Sequence, residues 1–456
     1  MSADSRALDQ DTIAAIATPL GRGGISVIRV SGPEAKAIAQ RLTKSTLQIR
    51  QPALTKFIGN DDHIIDEGLT LFFQGPASFT GEDVAEFHGH GGVVVTNLLL
   101  EACLSLGARL ARPGEFSERA FLNNKLDLVQ AEGLADLIDA PTAEAARQAS
   151  ASLQGLFSNA VNEFNQKVID LRVYVEASID FPEEEIDFLS EGGVVDSLLN
   201  LKDEIDELIL KARRGALMSK SAQIVMTGAP NAGKSSLMNR LANQAVAIVT
   251  DIPGTTRDVI RQSIAINGVA IQLSDTAGIR SASNEIEREG IQRAQAELER
   301  ADIIIEVIDD TASEEVDFAR ENNSQRLIRV LNKSDLSARA PGVVATPENK
   351  SSPVTIAASA VTGEGINELE EAILQHLGLG DASATTPFSA RERHVSCLMR
   401  AADMLETSID RFKVRQAGEL LAEDLKNMHA ELATITGAVG ADDLLGEIFS
   451  SFCIGK

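Results

Sequence analysis

Residues 228–235 read Gly-Ala-Pro-Asn-Ala-Gly-Lys-Ser, a GxxxxGK[ST] run lying between the apolar stretch QIVMT and the helix-forming SLMNRLA. Its glycines let backbone N–H groups turn toward a phosphate at a helix N-terminus. Lys234 then reaches the β and γ oxygens, and Ser235 offers a hydroxyl to Mg²⁺. Asp275-Thr276-Ala277-Gly278 closes the apolar run VAIQLS, where the Asp serves the magnesium shell and the Gly amide meets a γ-phosphate. Asn332-Lys333-Ser334-Asp335 closes RLIRVL. There a carboxylate accepts from both the N1–H and the N2 amino group of guanine, donors that adenine does not present together, so GTP is expected over ATP. Ser359-Ala360 stands where a loop touches the guanine oxygen, and Thr256, in Gly254-Thr-Thr-Arg-Asp258, is placed to close on Mg²⁺.

In this order the five runs resemble the signature of the translation-factor-related GTPase superfamily. Two departures from the Ras-like pattern matter. Ile279 follows DTAG, so the Gln that orients the attacking water is absent and another group must take its place. Asn231 sits in the phosphate loop, and Thr250-Asp251-Ile252-Pro253-Gly254-Thr255 can fold back to offer carbonyls to a monovalent cation. Such a cation would neutralise charge between the β- and γ-phosphates as an arginine finger does. Asn231 reads equally well as a tolerated loop residue.

Outside these runs, His88 and His90 form an HxH pair without a third ligand spaced nearby, which favours Gly-rich turns over a metal site. Three cysteines, Cys103, Cys397 and Cys453, are far apart and odd in number, giving neither a disulfide framework nor zinc spacing, and fit a reducing cytosol. The Cys453 thiol reads as a candidate nucleophile or equally as a packed tail residue.

Positioning these groups takes several kinds of element. Residues 1–118 alternate short β-favouring runs (ISVIRV, LTLFFQG) with Gly-rich turns and hold the helix VVVTNLLLEACLSLGA, an α+β pattern. From 119 to 215 the period becomes helical. Leu153, Phe157, Ala160, Phe164, Val168, Leu171 and Val175 line one stripe, and Val194, Leu198, Leu201, Ile205 and Leu208 another. DFPEEEIDF between them suits a helix boundary followed by a solvated turn. Residues 216–378 alternate apolar runs with helical stretches, as a parallel sheet with crossover helices does. Ser337 to Ser352 and Gly378 to Pro387 read as surface loop and linker. Helical spacing returns over 379–456, with Leu398, Ala402, Leu405, Ile409 and Phe412, then Leu421, Leu425, Met428, Leu432 and Ile435. Helices at both ends of an inserted α/β domain bury their stripes by packing together, so a helical bundle interrupted by the GTP-binding domain is expected.

A chain of 456 residues exceeds one domain at roughly 100–200 residues each. With aromatic residues at 4% and no Trp, its cores must come from Leu, Ile, Val and Ala. Forty-two basic against 67 acidic residues give a net charge of −25, which repels polyanions at long range and disfavours a free-standing grip on nucleic acid. The polar N-terminus lacks a signal peptide's apolar core, and Asn97 and Glu101 break the longest apolar stretch, so nothing is expected to span or target a membrane.

The terminal Cys-Ile-Gly-Lys456, with GAPNAGKSS, TDIPGTTRD, DTAGIR, GRGGISVIRVSG, SFTGEDVAEFHGHGG and RPGEFSERAFLNNKLDLVQAEGLADLID, resembles the MnmE (TrmE) family of tRNA-modification GTPases over essentially the whole chain. The resemblance implies a tetrahydrofolate-binding and dimerising domain like that of glycine-cleavage T-protein (1–118), a helical domain from two segments (119–215 and 379–456) and an internal G domain (216–378). It implies a cytoplasmic homodimer whose G domains meet with GTP and K⁺. It further implies an FAD-dependent partner, MnmG (GidA), in a heterotetramer. Together they would install an aminomethyl or carboxymethylaminomethyl group on carbon 5 of the wobble uridine (U34) of tRNA, drawing carbon from a 5-formyl- or 5,10-methylene-tetrahydrofolate.

Carried over residue by residue, potassium ligands fall on Asn231, Thr250, Ile252 and Thr255, magnesium ligands on Ser235 and Thr256, and the water-orienting acid on Glu287. The wider GTP site takes in Ala232, Gly233, Ser236, Asp251, Pro253 and Gly254. Folate contacts fall on Arg29, Glu86, Lys125 and Lys456. A cation suits the folate glutamate carboxylate, and Glu86 suits the pterin N3–H and amino group. A regulatory switch in ribosome assembly is the competing reading, and it has no need of a one-carbon carrier.

Overall fold

In the computed structural model, the residues described are 11–19, 21–180, 193–244, 246–247, 261–275, 296–312, 326–337, 339–345, 353–380, 387–438, 446, 448–449, 452 and 455. Segments with period-two burial form the first sheet. They are β1 (Ile13–Ile16), β2 (Ser26–Ser31), β3 (Ala53–Ile58), β4 (Ile64–Phe73), β5 (Val84–Gly89) and β6 (Arg109–Leu110), in the order β3-β4-β5-β2-β1-β6. On β5 the odd-facing Ala85 and Phe87 are buried while Glu86 and His88 are half-buried on the other face. The first face carries α1 (Ala35–Thr43) and α2 (Val93–Ser105) over a core of Ile28, Val30, Phe57, Phe72, Phe87 and Leu99. The opposite face packs Ile13, Ala15, Ala111 and Phe116 with Phe79, where Phe116 comes from α3 (Glu115–Leu122).

Ion pairs centred on the buried Arg119 and Glu115 tie α3 to the sheet. Arg119, 4% exposed, donates to Asp11, Glu82 and Glu115, and Arg109 donates to Asp11 and Glu115. The helix α4 (Leu128–Ile138) receives Ile448, Phe449 and Phe452 from the tail against Leu128 and Ala131. The chain divides into two compact units, one of Met1–Ala135, Val161–Ile169 and Leu425–Lys456, the other of Asp136–Ala160 and Asp170–Asp424.

The helices continue as α5 (Ala143–Leu153), α6 (Leu156–Asp180) and α7 (Val194–Ser219). The expected single stripe from Leu153 to Val175 is split. Gly155, at φ +90°, ends α5, so Leu153 closes one helix and Phe157 opens the next. Phe157, Phe164, Val168, Leu171 and Val175 are buried on α6, as are all five expected positions of α7. Most of DFPEEEIDF lies outside the described residues.

The second sheet is eight-stranded, in the order β13-β14-β12-β11-β7-β10-β9-β8. Its middle is parallel: β7 (Ala222–Gly228), β10 (Val269–Asp275), β11 (Ile303–Asp309), β12 (Leu327–Asn332) and β14 (Val354–Ala358). These strands read as nearly continuous apolar runs, as strands covered on both faces do. The edges, β8 (Val246–Ala247) and β9 (Arg261–Ile266) on one side and β13 (Gly342–Ala345) on the other, are antiparallel. β13 lies inside a segment expected to be loop, because Val343 and Val344 give the polar stretch enough β character to pair at an edge. The helices α8 (Lys234–Gln244), α9 (Ser334–Ser337) and α10 (Ile366–His376) belong to this part.

After the sheet, α11 (Glu392–Arg415) packs along α7, joining in space two helices that flank the α/β part in sequence. The expected core position Ala402 is only half-buried, and Ala401 takes the place at the seam with Leu398 and Leu405. The chain continues in α12 (Gly418–Thr436), whose Leu421, Leu425, Met428, Leu432 and Ile435 are all buried. The molecule is thus multidomain, with α+β, all-α and α/β parts and a parallel sheet inserted between helices that pack together.

Candidate functional site

The parallel strands deliver the GTPase motifs to one sheet end. β7 ends at Gly228, whose φ is +139° and where a Cβ would stand 2.2 Å from Val307 O on β11, so only glycine lets the loop leave the sheet there. Asn231 adopts φ +64°. Gly233, at φ +95°, leaves room for the Asn332 amide, which a Cβ would meet at 2.1 Å. The chain then enters α8 with Lys234, 6% exposed, donating from Nζ to Gly228 O at 3.0 Å and Ala229 O at 2.9 Å.

Ser235 lies 3.4 Å from Asp275 Oδ2, so the hydroxyl and a buried carboxylate from the next strand meet at the start of α8. This oxygen pair suits Mg²⁺, a hard cation that binds through few protein oxygens and phosphates. Ala232 is buried and Ser236 is exposed on the same turn.

Asn332 links two loops. Its Nδ2 donates to Ala232 O at 2.8 Å and its Oδ1 accepts from Ala360 N at 3.1 Å, so it ties the phosphate loop to the loop after β14. Lys333, at φ +67°, pairs with Asp309 at 2.5 Å. That lysine, with Thr311, holds the Asp309 carboxyl down to about 2. Asp335 is exposed on α9, where its carboxylate is open to a base. Ser359 is fully buried and accepts from Thr362 N, and Arg240 clasps the Ala360 and Val361 carbonyls. The sequence reading did not find Arg240 or Asp309, whose partners lie 120 and 24 residues away. Thr250, Asp251, Ile252, Pro253, Gly254, Thr255, Thr256, Thr276, Ala277, Gly278 and Glu287 lie outside the described residues.

A second group of candidates lies on the α3 side of the first sheet. Arg29 on β2 stands opposite Glu86 on β5, and its Nε donates to Glu86 Oε1 at 2.9 Å. The guanidinium lies over the rings of Phe79 and Phe116, 5.3 and 5.8 Å from their centroids. Glu86 Oε2 is 3.2 Å from His88 Nε2. Arg29 and Glu86 therefore form one cation–carboxylate unit on this face of the sheet. A carboxylate beside a cation matches a pterin edge, where N3–H and the amino group donate and O4 accepts.

Lys125 is exposed and donates to Pro76 O at 3.0 Å, on the loop that also carries Phe79. Gly455 packs so closely on β1 that a Cβ would stand 2.2 Å from Ile16 O, which puts this glycine beside the strand paired to β2. Cys453 and Lys456 lie outside the described residues. His90 turns to Asp66 instead, at 2.8 Å, so the two histidines serve different carboxylates. Burial raises the Asp66 carboxyl, but bonds from His90 bring it below its usual value.

The sequence models place these sites in a family. Residues 12–125 match the N-terminus of the GTP-binding protein TrmE, and residues 128–453 match the MnmE helical domain. The chain belongs to the MnmE family of tRNA modification GTPases. It is 50% identical to the tRNA modification GTPase MnmE of Stutzerimonas stutzeri, over 98% of this chain and 99% of that protein. Identity is 49% to that of Chromohalobacter salexigens, covering 98% of both chains, and 47% to that of Nitrosomonas eutropha, covering 98% of this chain and all of the other. Family membership accounts for the phosphate loop, the guanine motif and the helical segments on either side of them within one chain. Among the described residues no helix is long and apolar enough to cross a membrane.

Proposed function

We propose that this chain hydrolyses GTP to drive modification of tRNA. With an FAD-dependent partner of the MnmG (GidA) kind, it would install an aminomethyl or carboxymethylaminomethyl group at carbon 5 of the wobble uridine. The observation that carries this reading is near-50% identity along the full length to tRNA modification GTPases, in a chain whose phosphate loop and guanine motif share one sheet end. Residues 216–378 act as the G domain, 119–215 and 379–456 as the helical domain, and 1–118 as the folate-binding and dimerising domain of a cytoplasmic homodimer.

In hydrolysis the phosphate-loop amides and Lys234 hold the β- and γ-phosphates, while Asp335 selects guanine. Ser235 and Thr256 would hold Mg²⁺, with Asp275 beside the Ser235 hydroxyl, and Asn231, Thr250, Ile252 and Thr255 would hold K⁺; both cations would supply positive charge to the phosphates. Glu287 orients the attacking water in place of the absent Gln. In the first domain Arg29, Glu86, Lys125 and Lys456 hold a 5-formyl- or 5,10-methylene-tetrahydrofolate, whose chemistry is to supply a one-carbon unit. Cys453 is the candidate nucleophile toward the uracil.

Nucleoside analysis of bulk tRNA from a strain lacking this protein tests the reading. The expected result is loss of the modified wobble uridines, restored by the wild-type chain and not by Lys234→Ala. An unchanged nucleoside profile in the deletion strain would overturn it.

A further inference from the structure

The Glu86 carboxylate is held at both oxygens by two different side chains, and the second of these has no part in the reading above. Arg29 Nε takes Oε1 at 2.9 Å and His88 Nε2 takes Oε2 at 3.2 Å. Because a carboxylate only accepts, His88 must carry its proton on Nε2 to make this bond. Glu86 and His88 are two residues apart on β5 and therefore share a sheet face, and Arg29 meets Glu86 across the β2–β5 register. The positions paired with His88, Val27 on β2 and Leu69 on β4, are apolar, as is Leu71 beside Glu86.

An isolated Arg–carboxylate pair prefers two parallel N–H···O bonds. Here that preference would bring Oε2 round to a second guanidinium nitrogen and use up one of the donors on the far side of Arg29. His88 competes for Oε2. The observed pair is accordingly made through Nε alone, and among the described residues Arg29 Nη1 and Nη2 have no hydrogen-bond partner.

We infer that His88 is a positioning residue, which keeps the Glu86–Arg29 pair singly bonded so that the Arg29 Nη donors and the second lone pairs of Glu86 face the ligand. This rests on the folate reading proposed above. The ligand edge it fits is a planar heterocycle with adjacent N–H donors and a carbonyl, packed beside Phe79.

Calorimetry with 5-formyltetrahydrofolate on the full-length protein tests the inference with two variants. His88→Leu removes the bond and should weaken binding roughly tenfold, the order expected for a hydrogen bond to a charged group. His88→Gln, whose amide N–H can reach the same oxygen, should recover most of that loss, a rescue that a merely space-filling role would not give. Melting temperature and GTP hydrolysis should stay near wild type in both. Two-bond ¹H–¹⁵N spectra of the unliganded protein should show His88, assigned by its disappearance in His88→Gln, as the Nε2–H tautomer. Equal folate affinity in wild type and His88→Leu, or an Nδ1–H tautomer, would overturn the role of His88 alone. Wild-type protein that binds no folate would overturn the underlying reading as well.

Discussion

Asp335 is exposed at the end of the parallel sheet, and on the proposed reading its carboxylate selects guanine. Asp335→Asn puts an amide N–H where guanine also offers donors, so GTP affinity should fall by at least roughly tenfold while xanthosine triphosphate is accepted. Competition binding with the two nucleotides checks this, and unchanged GTP affinity would remove Asp335 from the base site. A second residue is structural. Glu115 is 1% exposed; burial alone would raise its carboxyl, but Arg109, the Arg112 amide and Arg119 bring it to about 2 from 4.5. A depressed carboxylate stabilises the fold fully above its unfolded value of 4.5, and the contribution is lost as pH falls through about 2. Glu115→Gln strips a partner from two arginines, one of them buried, and should cost about 3 kcal/mol at neutral pH. Thermal melts across pH should show wild type converging on the variant below pH ~3. Of the pairings among Glu115, Arg109, Arg119 and Asp11, only Glu115–Arg119, i,i+4 on α3, has a spacing that the sequence shows; Arg109 and Asp11 join it only through the fold. Motif residues such as Lys234 and Asp335 are legible because their chemistry and their spacing are local.

At the scale of elements, the apolar runs that became β7, β10, β11, β12 and β14 were readable because buried parallel strands carry uninterrupted hydrophobic segments. Two failures have plain causes. Gly155 breaks a stripe that continues in phase on either side of it, and β13 is an edge strand whose polar surroundings hide two valines. The Arg29–Glu86 contact depended on strand register, which no local pattern specifies across 57 residues. The phosphate loop carries the prediction proper to this scale. Gly228 and Gly233 fix the loop's path, and Asn231 occupies its left-handed corner at φ +64°. With Ile279 unable to orient water, a cation at the β–γ bridge should supply much of the rate; arginine fingers in such sites are worth on the order of 10³–10⁵. Turnover should therefore be fast in K⁺ and slow in Na⁺, which is too small for a ring of carbonyls. Asn231→Ala should abolish the K⁺ stimulation but keep most nucleotide affinity, since Lys234 and the loop amides remain. Equal rates of phosphate release in the two salts would defeat the cation reading and point to an arginine from a facing subunit.

At the scale of the whole molecule, the charge balance constrains how a tRNA is held. A chain with 67 acidic and 42 basic residues carries a net charge of −25, and at physiological salt its field extends about a Debye length, ~8 Å, beyond the surface. A tRNA approaching such a surface meets repulsion before it meets any local basic contact, and a handful of phosphate contacts would have to overcome it. The family's substrate and this chain's electrostatics are reconciled if a more basic partner supplies the phosphate contacts and this chain supplies nucleotide energy and the one-carbon carrier. The full-length protein alone should then bind tRNA weakly at ~0.15 M salt, and what binding it shows should fall steeply as salt rises. Adding the FAD-dependent partner should raise affinity by orders of magnitude. Charge reversal of exposed acidic residues on the helices that flank the α/β part, for example Asp203→Lys on α7 with Asp410→Lys on α11, should strengthen the weak binding of the isolated chain and leave GTP hydrolysis unchanged. Fluorescence anisotropy with labelled tRNA measures each case. Tight binding by the isolated chain at physiological salt, insensitive to added KCl, would show that a specific RNA site on this chain outweighs its field, and the division of labour between the two proteins would have to be redrawn.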